Sequence, residues 1–343
     1  MVFKPVKKLQ LQYSLNDWLN GTINANTTIN KEGAGSGAFG DISTWDTSLI
    51  TNMALLFYGK PTVIEGGVDQ RPNWNHVANA IGSWDTSNVT TMDRMFTDSQ
   101  FNHSLNLWDT SKVTNMYAMF YRTPFNKDIS NWDVGNVLMM RSMFNQSSFN
   151  KNIRNWDTSN VVNMRAMFVA TPFNQNIGNW DTSKVTNMSA MFANSKFNHD
   201  IGRWNTKNVE FVGSMFYNSA FNQNIGKWRI GKVTHMVNIF GPTDPDISLL
   251  SAQNKCAIET SFKKQKPKLW QYNWDACFVG PQIFIEDKRP SEKKGRSRVT
   301  SSEVAVVRQQ IKRLPKGYRE RGRVSGVPQG EYLQLVKWRA LSS

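Results

Sequence analysis

The stretch from Phe173 to Phe192, FNQNIGNWDTSKVTNMSAMF, decides the fold because the chain repeats its pattern many times. Tryptophans recur at a constant 24-residue spacing, at Trp84, Trp108, Trp132, Trp156, Trp180, Trp204 and Trp228. Trp45 lies 39 residues before Trp84, which is one period plus 15 residues, and we place this insertion near residues 59–73. A fixed period of this length is the signature of a repeat protein, so eight repeats are predicted.

Other apolar columns keep the same 24-residue step. They hold Phe at the start of most units, then Ile, Val, Met and a second Phe, as in Phe125, Ile129, Val137, Met140 and Phe144. Thirteen of the 15 methionines lie in two of these columns. They could form a sulfur-rich metal site or an adaptable binding face, but Met also fills irregular gaps in a core, and the companion Phe and Val columns favour that role.

The two halves of each unit show different periodicities. Val113, Met116, Met119 and Phe120 are spaced as on one face of a helix. Asp109 and the two residues after it are types that cap a helix start. Each unit is therefore predicted to carry a short helix, preceded by an extended segment with a short strand over residues 101–108. A unit this small buries a core only by stacking on its neighbours.

Three polar or aromatic columns have two interpretations each. The Trp column could be core or an exposed stacking ladder for sugars or bases, and the thinness of the repeat favours core. The Asn column that begins at Asn102 could hydrate a ligand groove or form an internal ladder for loop backbone, and the second is favoured. The Asp row that includes Asp85 and Asp181 could bind calcium or act in catalysis, and helix capping is favoured because the row breaks at Asn205 and Arg229.

The pattern divides the chain into four parts. Residues 1–40 are expected to form an N-terminal cap, residues 41–245 the eight repeats, residues 246–280 a C-terminal cap and residues 281–343 a basic tail. One amphipathic helix is expected near residues 301–314. The predicted fold class is therefore a leucine-rich-repeat-like solenoid of 24-residue α+β coils with capped ends.

The tail concentrates the positive charge of the chain. The formal net charge is +15, and residues 286–343 hold 15 Lys plus Arg against 6 Asp plus Glu. This arm could remain solvated, dock on an acidic protein, bind nucleic acid through phosphates or lie on a membrane surface. The candidate contacts to an anionic partner are Lys293, Lys294, Arg296, Arg298, Lys312, Arg313, Arg319, Arg321 and Arg323.

The composition also bears on redox state and location. The chain has two cysteines, Cys256 and Cys277, both in the predicted C-terminal cap. A disulfide between them would staple the cap, whereas free buried thiols are favoured for a chain without an export signal. The first residues lack the apolar stretch of a secretory signal, and no apolar run is long enough for a transmembrane helix. The sequence therefore predicts an intracellular or particle-bound protein.

Motifs for catalysis are lacking in the sequence. The four histidines, His76, His103, His199 and His235, form no metal-ligand motif, and no nucleophile elbow or phosphate-binding loop is present. We therefore predict a protein without catalytic residues, cofactor or metal.

The motif from Trp180 to Phe192 resembles the repeat of BspA-like leucine-rich-repeat surface proteins, the mycoplasma lipoprotein-associated repeat family. The resemblance covers about residues 40 to 240. The segments Leu15–Leu19 and 40–46 resemble the entry segment of relatives from algae, other protists and large DNA viruses, and residues 254–275 resemble their closing segment. The resemblance implies a leucine-rich-repeat-like solenoid used for adhesion or protein binding.

These observations support three functional hypotheses. The first is a non-enzymatic scaffold that binds a protein partner through the solenoid surface, within a large assembly such as a virion. The second is a nucleic-acid-associated protein that is anchored by its basic tail. The third is a cell-surface adhesin. The sequence does not define the partner or the oligomeric state.

Overall fold

The computed structural model describes residues 3–19, 28–29, 35–36, 42–59, 80–242 and 249–274. Its helices are α1, Lys8–Leu19, a 3₁₀ helix, Ile42–Thr44, and α2, Ala252–Gln265. Strands β1, Thr28–Ile29, and β2, Gly35–Ser36, pair antiparallel. The chain divides into two units, Met1–Cys277 and Phe278–Ser343, and all described residues belong to the first.

Between the 3₁₀ helix and α2 the chain forms repeats that stack in sequence order. Neighbouring repeats are joined by single parallel bridges, in the order Asn52, Thr91, Asn115, Met139, Asn163, Asn187, Phe211 and His235. Every step after Thr91 keeps the 24-residue period, and the first step, from Asn52 to Thr91, is longer. The predicted insertion near residues 59–73 falls almost entirely within residues 60–79, which lie outside the described part of the chain. The chain is therefore a repeat protein whose repeats pair through backbone.

The predicted helix in each repeat is wrong for the repeats that the structure describes. The Val-to-Phe segment forms a series of tight turns, in which alternate N–H groups donate to the next repeat. Met116 N donates to Met139 O at 2.9 Å, and Ala118 N donates to Arg141 O at 2.8 Å. These donors are no longer free for helical bonds within the segment. Left-handed residues such as Ala118, with φ 50°, and Arg122, with φ 54°, reverse the chain within each turn.

The predicted strand also lies in the wrong half of the unit. Residues 101–108 run without a bridge, and the bridge forms at Asn115 instead. In the described repeats, the backbone N–H groups that donate to the following repeat lie after the Val column, as those of Met116 and Ala118 do. In the described repeats the pairing is a ladder of single bridges, and no continuous strand forms there.

The apolar columns form the core, as predicted. The Met side chains of the two columns and the Phe side chains after them are buried, and Phe rings of successive repeats stack, as in Phe120 and Phe144 at 5.8 Å between centroids. The Trp column is also buried, so the interpretation as an exposed stacking ladder is wrong. Each indole of Trp84 to Trp228 donates to a carbonyl of the preceding repeat, as Trp156 Nε1 does to Ile129 O at 3.1 Å.

The Asn column forms the internal ladder that was predicted. The Oδ1 atom of Asn102 accepts the N–H of Asn126 at 3.0 Å, and the same bond recurs in every following repeat to Asn222. Asn222 Oδ1 then accepts the N–H of Ser251, which is the N-cap of α2. The ladder thus joins the repeats to the closing helix.

The Asp row does not cap helices. Each carboxylate instead accepts the N–H two residues later, as Asp109 Oδ1 does from Ser111 at 2.9 Å, and so stabilises a local turn. The Thr that follows Asp109 bridges repeats, because Thr110 Oγ1 donates to Asp133 O at 2.7 Å. Hydrogen bonds from the hydroxyl and the N–H of Ser111 lower the pKa of Asp109.

Both ends of the stack are covered by a helix. Helix α1 contributes Leu11 and Leu15 to the core, and α2 contributes Ile258 and Phe262. Cys256 is disulfide-bonded, so the preference for free thiols is wrong for this residue. Cys277, the predicted boundaries at residues 40 and 245, and the predicted helix near residues 301–314 lie outside the described residues.

Candidate protein-binding face

One surface of the stack is lined by the bridge residues. We define the ladder face as the eight bridge residues, the residue before each one and the second residue after each one. The residues before the bridge are Thr51, Thr90, Thr114, Leu138, Val162, Thr186, Glu210 and Thr234. The second residues after it are Ala54, Asp93, Tyr117, Arg141, Arg165, Ser189, Gly213 and Val237. All but Ala54 of these two sets are at least partly exposed.

The ladder face varies from repeat to repeat, whereas the core does not. The Trp column is invariant over eight repeats, and the Val column changes only to Ile50. In contrast, the eight bridge positions contain Asn, Thr, Met, Phe and His. The core is therefore constant, whereas the ladder face differs between repeats.

An apolar patch lies in the middle of the ladder face. Leu138 and Val162 occupy the same position in adjacent repeats, and the N–H of Val162 donates to Leu138 O at 2.9 Å. Leu138 is 47% exposed and Val162 is 38% exposed. Met139, which is outside the two buried methionine columns, is partly exposed beside them. These side chains provide apolar area that the stack leaves in solvent.

A tyrosine lies between two arginines next to this patch. The Tyr117 ring centroid is 5.2 Å from Arg94 Cζ and 5.3 Å from Arg141 Cζ. Arg94 is also held by Asp93 through two hydrogen bonds of 3.1 and 3.3 Å, and this contact raises the pKa of Arg94. Cation–π contacts and the ion pair fix the three side chains in place before any partner binds.

A second aromatic group lies near the C-terminal end of the ladder face. The rings of Phe211 and His235 stack with 4.8 Å between their centroids, and Val237 is 64% exposed. Thr234 Oγ1 and His235 Nδ1 are 2.9 Å apart, which orients the imidazole. The face therefore has apolar or aromatic groups in its middle and at one end, separated by the polar residues Thr186 and Asn187.

The apolar bridge residues replace a side chain that stabilises the turn elsewhere. Where the bridge residue is Asn, its Oδ1 atom accepts the N–H two residues later, as Asn163 does from Arg165 at 2.9 Å. Met139 and Phe211 have no oxygen with which to accept this bond. These repeats therefore lack a local stabilising contact. The absence of such a contact is typical of positions that serve a function.

The residues that the sequence singled out for binding lie elsewhere. All nine basic candidates, from Lys293 to Arg323, are outside the described residues, as is His76. Among the described histidines, His235 is on the ladder face, whereas His103 and His199 are not. Burial, and then the charge of Lys127, lower the pKa of His103. Within the described ranges no group of three His, Cys, Asp or Glu side chains could hold a metal ion.

Sequence reasoning missed the ladder face because the residues around the bridge were assigned to a helix. The signal was present in the sequence, since positions such as Thr114 and Leu138 change between repeats while the neighbouring Val113 and Val137 do not. Within the described part of the chain, no helix is long and apolar enough to cross a membrane.

Comparison with known proteins gives one family match. The model of a family described as "Mycoplasma protein of unknown function, DUF285" matches residues 26–148, 69–169 and 145–248. These overlapping matches are consistent with tandem repetition. No curated protein and no solved structure matches the chain.

Proposed function

Because the chain belongs to the DUF285 family, whose model spans about two thirds of it, we propose a repeat scaffold function for the protein. The proposed fold is a BspA-like, leucine-rich-repeat-like solenoid with capped ends. The proposed activity is non-enzymatic binding of a protein partner through the ladder face. The proposal assigns no catalytic residue, cofactor or metal.

The observation that carries the proposal is the exposed apolar patch on the ladder face, where residues also change from repeat to repeat. Stacked repeats whose core columns are constant form a rigid support, and a partner distinguishes such repeats only by their surface residues. The ladder face combines that variation with exposed apolar area at Leu138 and Val162. Both properties are expected of a binding surface.

The residue types of the ladder face also fit a protein partner. Tyr, Arg, Met and Phe are enriched at protein interfaces, and Tyr and Arg are frequent among the residues that dominate binding energy. Tyr117 and Arg141 are held against each other in the free protein. A partner that packs there would order few additional side chains on binding.

The assembly that contains the partner is proposed from the resemblance alone. A virion-associated or intracellular location remains our preferred placement, with the basic tail as an anchor on an acidic protein. Anchoring on nucleic acid through the tail is the alternative. A tail-deleted chain that ends at Gly280 should lose the anchor and keep the ladder-face partner.

A cell-surface adhesin is a second candidate, and one observation favours it. Cys256 is disulfide-bonded, and disulfides persist mainly in oxidising settings, which include cell and virion surfaces. Labelling intact cells with a membrane-impermeant reagent separates the placements. Labelled protein would support the adhesin, and labelling only after lysis would oppose it.

The ladder-face proposal is tested by quantitative capture of the partner from the native source. The full chain is immobilised alongside the double variant Leu138→Ser, Val162→Ser. Loss of the apolar patch should reduce capture at least tenfold. The matched control is Leu49→Ser, Leu107→Ser, which removes two other exposed leucines that lie off the ladder face.

The control should capture the partner as well as the unchanged chain does. Equal capture by the ladder-face variant and the unchanged chain would refute the proposal. A melting curve recorded for each variant excludes unfolding as the cause of a loss.

A further inference from the structure

A second surface of the stack changes the sign of its charge along the repeats. We define the turn face as the residues one before and one, three and four after each repeat tryptophan. Around the five tryptophans from Trp45 to Trp156, its charged residues are Asp46, Asp85, Asp109, Lys112, Asp133 and Asp157. Around Trp204 and Trp228 they are Arg203, Lys207, Lys227, Arg229 and Lys232. The intervening repeat carries one charge of each sign, Asp181 and Lys184.

The five basic residues of the last two repeats are exposed. Within the described residues, none of them forms an ion pair, and Lys232 Nζ donates to Asn208 Oδ1 at 2.9 Å. Clustered positive charges repel one another unless an anion lies over them. We name these five residues the basic end of the turn face.

The buried scaffold fixes the spacing of the basic end. Arg203 and Lys227 each precede a repeat tryptophan, and the Trp204 and Trp228 rings stack at 6.4 Å between centroids. The N–H of Arg229 donates to Thr206 Oγ1 at 2.9 Å. The positive charges therefore project from a rigid backbone rather than from a mobile loop.

Helix α2 adds further basic residues next to this surface. Gln265 Nε2 donates to Trp228 O at 2.9 Å, and Gln265 Oε1 accepts the N–H of Ile230 at 2.8 Å. These bonds place the C-terminal end of α2 against the last repeat. Lys264 and Lys266 flank Gln265 and thus extend the basic end beyond the repeats.

The basic end has no apolar anchor of the kind that protein interfaces require. The large exposed apolar residues of the last two repeats are Tyr217 and Val237, and neither belongs to the turn face. Protein interfaces have a desolvated apolar or aromatic centre. A flat array of Lys and Arg is instead the chemistry that neutralises the regularly spaced charges of a phosphodiester backbone.

We infer that the basic end is a binding site for the phosphodiester backbone of a nucleic acid. The site consists of residues of the repeats that belong neither to the basic tail nor to the ladder face. The aspartates of the earlier repeats repel phosphates, so the strand crosses the stack at its last two repeats rather than running along it. Base-specific recognition is not part of the site, because its tryptophans are buried and hydrogen-bonded within the stack.

The test measures binding of a labelled duplex of random sequence by fluorescence anisotropy over a series of salt concentrations. The full chain is compared with a variant in which Arg203, Lys207, Lys227 and Arg229 are all replaced by Gln. If each of the four contacts a phosphate, the slope of log K against log salt becomes shallower by about 3 to 4.

The matched control removes the same number of charges elsewhere on the stack, through Lys127→Gln, Lys151→Gln, Arg154→Gln and Lys196→Gln. It should keep the salt slope of the unchanged chain. A further variant, Arg203→Lys with Arg229→Lys, keeps the charge and should keep binding. An equal loss in the basic-end variant and the control would show that net charge alone, including that of the tail, accounts for binding and would overturn the inference.

Additional probes separate the sources of the anion. Duplex RNA and single-stranded DNA are titrated in the same way, and the probe whose binding depends most on the basic end identifies the form of nucleic acid. Displacement of the duplex by poly-glutamate as efficiently as by unlabelled duplex would assign the site to acidic proteins instead. Salt-sensitive self-association that the basic-end variant abolishes would assign it to the acidic part of a second copy.

Discussion

The inner columns and the ladder face of the same repeat follow opposite rules. Trp, Phe and Met positions inside the stack recur with little change and contact the same columns in the neighbouring repeats. Ladder-face positions lie only a residue or two away along the chain, yet they change between adjacent repeats, as Asn115 and Met139 do. In this molecule, constancy therefore marks structure and variation marks the candidate binding surface.

The largest effect on stability is expected when a buried residue at the centre of the stack is replaced. Trp156→Ala removes a buried ring and its hydrogen bond to Ile129 O. We expect a loss of about 3–5 kcal/mol in the free energy of unfolding, measured by chemical denaturation. Leu107→Ala, at an exposed side chain, should change it by less than about 0.5 kcal/mol. Similar losses in both variants would contradict the assignment of the Trp column to the core.

The next largest effect is expected in the asparagine ladder. Asn150 Oδ1 accepts the N–H of Asn174 at 3.0 Å and a hydrogen of Gln175 Nε2 at 2.9 Å. Asn150→Ala leaves both donors without this partner, so we expect a loss of about 1–2 kcal/mol in thermal or chemical unfolding.

The control for the ladder is Asn155→Ala, since Asn155 is exposed one position before Trp156. Its effect should be within about 0.5 kcal/mol of zero. An Asn150→Ala variant as stable as the control would show that the ladder contributes no stability.

The inner columns could be predicted from the sequence because burial imposes a period that is visible in one chain. The 24-residue step identified the core residues, the internal position of Trp132 and the amide ladder through Asn126. The direction of backbone bonding could not be predicted in the same way. Spacings of three and four residues arise in a helix and also in consecutive tight turns, so Val113 to Phe120 fits both.

Long-range bonds decide between these two structures. The N–H groups of Met116 and Ala118 donate to carbonyls of the following repeat, and no local preference encodes such a contact. The ladder face depends on this choice, because the same residues on a helix would project in other directions. For that reason the candidate site followed from the structure, although its variable positions are visible in the sequence.

The turns found in place of the predicted helix contain left-handed residues, whose unfavourable conformation reduces stability. Substitution by glycine can remove part of this loss. Ala166 has φ 56°, a left-handed conformation that is unfavourable for residues with a Cβ atom. Ala166→Gly should increase stability by about 0.5–1 kcal/mol, after the greater flexibility of unfolded glycine is allowed for. Ala220→Gly, at a residue outside the left-handed region, should decrease it by a similar amount. Destabilisation by both substitutions would contradict the turn geometry.

A smaller effect is expected from acid at the first repeat. Lys4 Nζ donates to Asp46 Oδ2 at 2.6 Å, and this bond, with those from Ser48, lowers the pKa of Asp46 to about 2. An unfolded Asp has a pKa of about 3.9. The stabilisation is therefore complete above about pH 4 and is lost as the pH falls towards 2.

The melting temperature should consequently fall between about pH 4 and pH 2, and Asp46→Asn should flatten part of that decrease. Lys4→Gln should remove a similar part of the decrease, because the hydrogen bond from Lys4 is the largest cause of the lowered pKa of Asp46. The pair is partly exposed, so the effect is expected to be a few tenths of a kcal/mol. If the melting temperature of both variants fell with acid as steeply as that of the unchanged chain, the pair would make no contribution to stability.

The smallest effect on stability is expected where the largest effect on binding is proposed. Leu138→Ser with Val162→Ser removes apolar area that is already in solvent, so the free energy of unfolding should change by less than about 0.5 kcal/mol. Such a result, together with loss of the captured partner, would separate recognition from folding within one repeat. A loss of several kcal/mol would instead mean that the two side chains belong to the core, and the contrast between a constant interior and a variable ladder face would not hold.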